Sequence, residues 1–249
     1  MERNLVYFVS DVHLGLATKD PRERENRFVS WLKSIPREKT SALYLLGDIW
    51  DFWYEYRDVV PREGARVVAQ LVDLMDKGVE VFFFEGNHDI WTFSFFEELG
   101  MKKCFQPCFT EIGGKSFCIG HGDGLGDTKL SYRLMLKVFH NKVAQSLFNA
   151  LHPWLAYRFG LSWSNSNRRT HEPYTFKGES EPLYKYAVGL EDRRHSDFYI
   201  FGHYHDSASL TMASGSRFFL VKDWMDGGCP HLVFDKTSGV LYCSGVQPE

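Results

Sequence analysis

Cysteine is scarce in this chain, and the few present make no pattern. Cys104, Cys108, Cys118, Cys229 and Cys243 are five among 249 residues, an odd number that argues against a disulfide framework. Cys104 and Cys108 lie four apart, but no second pair stands at zinc-site spacing. Reduced thiols in a cytoplasmic protein are the expectation. Long apolar runs are missing as well: no stretch approaches the ~20 residues of a membrane span. The apolar stretch after Met1-Glu2-Arg3-Asn4 stops at Asp11, too short for a secretory signal core and its cleavage site. There is no basic excess either. Lys and Arg number 29 against 32 Asp and Glu, a net charge of −3, which disfavours a nucleic-acid-binding protein. Internal repeats and low-complexity tracts are also lacking.

What the chain does contain is a set of short apolar runs, each ending in polar residues. Leu5-Val6-Tyr7-Phe8-Val9 leads to Asp11-Val12-His13, and Ala42-Leu43-Tyr44-Leu45-Leu46 to Gly47-Asp48. Val79, Val81, Phe82, Phe83 and Phe84 lead to Gly86-Asn87-His88-Asp89. Phe117-Cys118-Ile119 leads to Gly120-His121-Gly122-Asp123, and Phe198-Tyr199-Ile200-Phe201 to Gly202-His203-Tyr204-His205. Runs rich in β-branched and aromatic residues read as strands buried on both faces. Polar residues at their carboxyl ends point to the crevice where α/β sheets bind ligands. The glycines permit sharp turns and close backbone approach there.

Each segment alone has an ordinary explanation. A lone Asp-x-His is more often a turn or surface pair, and Asn87-His88-Asp89 could be a simple turn. His203 and His205 alternate and so share a face, an even wager for metal. Five together are harder to explain structurally. Carboxylate, amide and imidazole donors without thiolate suit Mn²⁺, Fe²⁺ or Zn²⁺. Two such ions side by side are a standard means of attacking a phosphate ester with water.

The order D-x-H, GD, GNHD, GHGD, GHxH resembles the calcineurin-like metallophosphoesterase superfamily, from Asp11 to His205. The resemblance implies that Asp11, His13 and His205 hold one metal ion and that Asn87, His121 and His203 hold the other. Asp48 would bridge them with its two carboxylate oxygens, keeping the ions ~3.5–4 Å apart. His88 would contact the reacting phosphate rather than a metal, stabilising charge on it or on the leaving group. Asp89 either orients His88 or caps a helix. The implied fold is a four-layer α/β/β/α sandwich.

Periodicity predicts helices over 21–35 and 62–77, and short strands joined by turns after His205. A segment that a minimal core does not need intervenes at 124–195, between core parts 1–123 and 196–249. There a helix of about 20 residues is expected over 130–151, then a second short helix from Pro153. A polar stretch from Ser162 to Thr170 follows, then a helix over 181–194. This insertion holds 11 basic and 6 acidic residues, whereas the remainder holds 18 and 26. A basic, aromatic-rich insertion suggests a cap over an anionic, amphiphilic substrate. Its aromatics could equally do no more than pack the cap on the core.

A closer resemblance covers nearly the whole length, to the UDP-2,3-diacylglucosamine pyrophosphatase family of lipid A biosynthesis. It rests on D-x-H-L-G, on Gly47-Asp48-Ile49-Trp50-Asp51-Phe52-Trp53, on H-G-D followed by Asp127, on the insertion's Ser/Asn/Arg-rich end, and on Asp223-Trp224. It implies hydrolysis of a nucleotide-glycolipid pyrophosphate to UMP and lipid X, Mn²⁺ as the usual ion, and acyl chains beneath the cap. The substrate-binding residues it implies are Asp127, Tyr132, Ser164, Asn167, Arg168 and Arg169, the arginines facing phosphate oxygens. The protein would be cytoplasmic, peripheral on the inner membrane. In one respect the chain departs from the best-known branch, which carries Arg where this sequence has His88. Alternatives therefore include another nucleotide-lipid, a soluble nucleotide or a nucleic acid as substrate, and a non-catalytic binding module.

Overall fold

Period-two alternation sorts each central strand onto two faces, and the two faces belong to different cores. The computed structural model describes residues 2–18, 20–126, 129–169 and 174–244, without the side chains of 165–169. β1 (Leu5–Val9), β2 (Thr40–Leu45), β3 (Glu80–Phe84) and β4 (Lys102–Cys104) run parallel in that order. β10 (His231–Asp235) joins β1 antiparallel, and β11 (Val240–Ser244) closes that edge of a six-stranded sheet. The second sheet has five strands: β5 (Cys108–Ile112), β6 (Lys115–Ile119), β7 (Phe198–Phe201), β9 (Arg217–Leu220) and β8 (Ala208–Thr211), in that order.

The sheets pack face to face. Val6, Phe8, Tyr44, Phe84, Phe117, Ile119, Ile200 and Phe219 fill the space between them. The alternate residues Tyr7, Val9, Leu43, Leu45, Val81 and Phe83 point outward, under α1 (Pro21–Ser34) and α2 (Ala65–Asp76). Cys118, Tyr199, Phe201, Phe218 and Leu220 point to the other outside, under Leu183, Tyr184 and Ala187 of α7 (Pro182–Glu191). Helix, sheet, sheet and helix give the expected four layers.

The segment 124–195 departs from the sequence reading in three ways. The helix expected over 130–151 is two, α4 (Leu130–Phe139) and α5 (Lys142–Asn149). Asn141 divides them, its side chain accepting the N–H groups of Val143 and Ala144 as an N-cap. The polar stretch after Leu161 is not a turn: α6 (Pro153–Arg169) runs through it, because Ser and Asn are weak helix formers but not breakers. Finally, α7 forms the outer layer of the second sheet, so the cap proper is α4 to α6. β4, β5 and a short α3 (Phe95–Glu98) were not foreseen.

The cap docks through tyrosines on the loop that follows Asp51. Tyr157 Oη donates to Tyr54 O at 2.9 Å, and Tyr54 Oη donates to Gln145 O at 2.8 Å. Trp91 Nε1 donates to Phe139 O at 3.0 Å. Gly160 lets α6 lie directly on the Phe52 ring, where a Cβ would come within 2.3 Å.

Candidate metal centre

Parallel strands deliver the site, since their carboxyl ends open on one side. Asp11, Asp48 and Asn87 follow β1, β2 and β3, while His121, His203 and His205 follow β6 and β7. The chain must turn at once after each strand. Asp11, His13, Asp48, His203 and His205 all adopt left-handed backbone, with φ of 55, 50, 52, 71 and 57°. Among the described residues, only Asp20 joins them as a non-glycine with positive φ. Such residues cost of order 1–3 kcal/mol each and persist where surrounding structure holds them. The glycines permit close approach: a Cβ on Gly86 would meet Asp48 Oδ1 at 2.2 Å, and one on Gly202 would meet Asp11 Oδ2 at 2.5 Å.

Three imidazoles are oriented by one nitrogen and present the other. His13 Nδ1 lies 3.2 Å from Asp51 Oδ1, His205 Nδ1 lies 2.8 Å from Asp223 Oδ2, and His121 Nδ1 donates to Leu46 O at 2.8 Å. The Nε2 atoms converge on carboxylates. Asp11 Oδ1 is 3.6 Å from His13 Nε2 and 3.7 Å from His205 Nε2. Asp48 Oδ2 is 3.4 Å from His121 Nε2 and 3.8 Å from His13 Nε2. His203 lies beside His121, ring centres 5.1 Å apart, and its N–H donates to Asp11 Oδ2 at 2.9 Å.

These atoms fit cations. Asp11 Oδ1, Asn87 Oδ1 and His121 Nε2 are buried without a hydrogen-bond partner among the described residues. His121 Nε2 lies 3.4 Å from Asp48 Oδ2, and although burial opposes charge on the ring, the Asp48 carboxylate raises the imidazole well above its usual range. A buried carboxylate is costly unless positive charge lies beside it. Burial opposes the charge of Asp48, but the His121 and His88 imidazoles outweigh it and hold its carboxyl well below the usual range. Burial, then His121, pushes His203 down to about 4, which leaves a neutral ring able to ligate. Asp11, His13 and His205 form one potential metal-holding group, and Asp11, Asp48 and His121 another.

The bridging residue differs in detail from expectation. Asp48 Oδ1 is taken by the His88 N–H at 2.8 Å, so Oδ2 alone faces both His13 and His121. Asp89 neither orients His88 nor caps a helix. Its carboxylate accepts the N–H groups of Gly86, Asp48, Ile49 and Trp50 at 2.8–3.3 Å, tying two ligand loops together. His88 is oriented instead by Asp51, whose carbonyl accepts from His88 Nδ1 at 2.9 Å. Asp51 and Asp223 had been seen only as parts of a motif; their partners are remote in sequence, so only the fold reveals these roles.

The cap residues divide. Tyr132 Oη donates to Asp123 Oδ2 at 3.0 Å, and Asp123 in turn accepts from Gln106 Nε2. Tyr132 and Lys129 line a cavity of ≈ 200 Å³ with Gly122, His203 and Tyr204, beside the metal-site loops. Ser164 is buried within α6, its hydroxyl without a partner among the described residues. Asn167, Arg168 and Arg169 lie on α6 with side chains outside the description, and Asp127 lies outside the described residues.

The family model for calcineurin-like phosphoesterases matches residues 5–207. A protein named UDP-2,3-diacylglucosamine hydrolase from Porphyromonas gingivalis is 36% identical over 256 residues, 96% of this chain and 97% of that protein. One of the same name from Neisseria meningitidis serogroup B is 34% identical over 143 residues, 57% of this chain and 58% of that protein. A dimetal phosphatase from Danio rerio aligns with a TM-score of 0.47 at 15% identity, covering 94% of this chain and 92% of that one. With these strand-end carboxylates and imidazoles, and with a relative matched along almost its full length, the chain belongs to the calcineurin-like phosphoesterase family, metal-dependent hydrolases that use two divalent ions.

Proposed function

We propose that this enzyme hydrolyses the pyrophosphate of UDP-2,3-diacylglucosamine to UMP and a diacylglucosamine phosphate, in the cytoplasm against the inner membrane. The observation that carries the reading is the pairing of a buried Asp/His centre with an apolar, basic helical cap docked beside it. The name of the full-length relative supports the same substrate. Asp11, His13 and His205 would hold one ion and Asn87, His121 and His203 the other, with Asp48 shared between them. When bound, such ions polarise phosphoryl oxygens and make a water nucleophile available at neutral pH. Oxygen and imidazole donors suit Mn²⁺, Fe²⁺ or Zn²⁺, and Mn²⁺ is taken from the family resemblance. His88, held at Nδ1 by the Asp51 carbonyl, presents Nε2 to the reacting phosphate or its leaving group. Asp89 keeps the His88 and Asp48 loops in register.

Substrate class is the cap's contribution. Leu130, Leu134 and Val138 recur every fourth residue along α4 and are exposed, as are Val143, Leu147, Trp154, Leu155, Phe159 and Trp163. Between Lys129 and Arg169 there are seven basic residues and no acidic one. Apolar helices with only positive charge suit acyl chains and an anionic membrane surface. The deciding assay gives purified enzyme with Mn²⁺ three substrates: UDP-2,3-diacylglucosamine, a plain nucleotide diester and single-stranded DNA. UMP release from the first should exceed turnover of the others, and faster cleavage of the diester or the DNA would overturn the reading.

A further inference from the structure

Helix α1 carries an arginine that no motif accounts for. Arg24 is fully buried, a costly place for a charge. Its Nη2 donates to His13 O at 2.9 Å and Leu16 O at 2.8 Å, and its Nη1 donates to Thr18 O at 3.2 Å. One guanidinium therefore gathers three carbonyls of the loop that holds His13 at its left-handed φ of 50°.

The same helix reaches a second loop. Arg27 Nη2 donates to Trp224 O at 2.7 Å. Phe28 and Trp31 pack edge-on against the buried Trp224 ring at 4.9 and 5.4 Å. Trp224 N donates to Asp11 O at 3.2 Å, and its neighbour Asp223 holds His205 Nδ1 at 2.8 Å. Asp223 lies just past β9, which runs parallel to β7, so it is a further polar strand end on the same side. Asp11, His13 and His205 are thus all supported from α1 or from the 223–224 loop that α1 holds. In the other group His121 is held by Leu46 O, and the link to the first is the His203 backbone N–H on Asp11 Oδ2 at 2.9 Å.

We propose that α1, through Arg24 and through the Asp223-Trp224 loop, is the positioning strut of one metal site more than the other, the one formed by Asp11, His13 and His205. This rests on the two-metal reading above. What the guanidinium supplies is geometry, a planar fork that spans three acceptors. A lysine keeps the charge and loses the fork.

The test titrates metal-stripped protein with Mn²⁺ alone by calorimetry, with metal content after dialysis as a second readout and circular dichroism as the check on folding. Wild type should bind two ions per chain; fewer would sink the two-metal reading itself. Arg24→Lys and Arg24→Met should each weaken one ion by roughly 10–100-fold, the usual effect of losing a group that orients a ligand, and the other by less than that. Asp223→Asn, close in shape to the native residue, should weaken the same single ion and serves if the Arg24 variants fail to fold. Both ions binding Arg24→Lys at wild-type affinity, or both weakening equally in Asp223→Asn, would overturn the strut.

Discussion

Asp11, His13 and His121 are wholly buried, whereas Leu130, Val143 and Leu147 on the cap are 68–80% exposed. The metal centre and the cap thus invert the usual distribution in opposite senses. Polar groups are placed inside at one, and apolar groups outside at the other. Each inversion raises the free energy of the isolated chain. Unpaired buried acceptors cost desolvation at the centre, and exposed leucines and aromatics forgo burial on the cap. Each is relieved by something outside the chain, a cation in the first case and an apolar partner in the second. On the proposed function the two regions are separable: one does chemistry on a phosphate, and the other selects what is attached to it.

The largest expected effect breaks the centre. Asp48→Ala should abolish activity and lose an ion, since no shared anion then separates two repelling cations. Two ions per chain in that variant, by elemental analysis, would refute the bridge. His88→Ala should lower kcat by roughly 10²–10⁴-fold with metal content unchanged. Loss of an ion there would make His88 a ligand.

Next comes the joint between the regions. Gly160→Ala places a Cβ within 2.3 Å of the Phe52 ring, an overpacking worth about 1–3 kcal/mol. The melting temperature should fall and KM for the lipid substrate rise, while cleavage of a small aryl phosphodiester stays near wild type. Equal losses on both substrates would show that cap and centre are not separable. On the cap alone, Leu134→Glu with Leu147→Glu should reduce cosedimentation with anionic vesicles yet shift stability by no more than about 0.5 kcal/mol per site. Unchanged vesicle binding would remove the membrane role from this face.

The smallest effect lies at a partly exposed edge of the second sheet, at the strand ends away from the metal centre. Burial opposes the charge of Asp197, but the Ser116 N–H and hydroxyl and the Lys115 ammonium outweigh it and hold its pKa at about 2. A depressed carboxyl stabilises the fold above its unfolded pKa of about 3.9, and that stability fades as pH falls toward 2. Asp197→Asn should therefore flatten the acid limb of stability between about pH 4 and 2. An unchanged acid limb would rule this out.

Much of this was legible in the chain because it is local. Apolar runs of alternating fate name the strands, and the polar residue just past each run names a ligand position. Gly86 and Gly202 sit where they do because no Cβ fits beside Asp48 and Asp11, and that demand is written at adjacent positions. Cap boundaries were harder. The break at Asn141 depends on whether its side chain caps or faces solvent, and 3.6-residue periodicity runs straight through it.

By itself, then, the sequence determined the layered fold, the family and the strand-end residues proposed as ligands, since strand pattern and ligand chemistry are carried by neighbouring residues. Only the tertiary structure decided which groups aim those ligands. Asp51 on His88, Asp223 on His205, Asp89 across two loops and Arg24 beneath His13 are pairings between separate elements, 11 to 41 residues apart. Hydrogen bonds of that kind are fixed by where strands and helices meet in space, and residue type alone leaves many partners open.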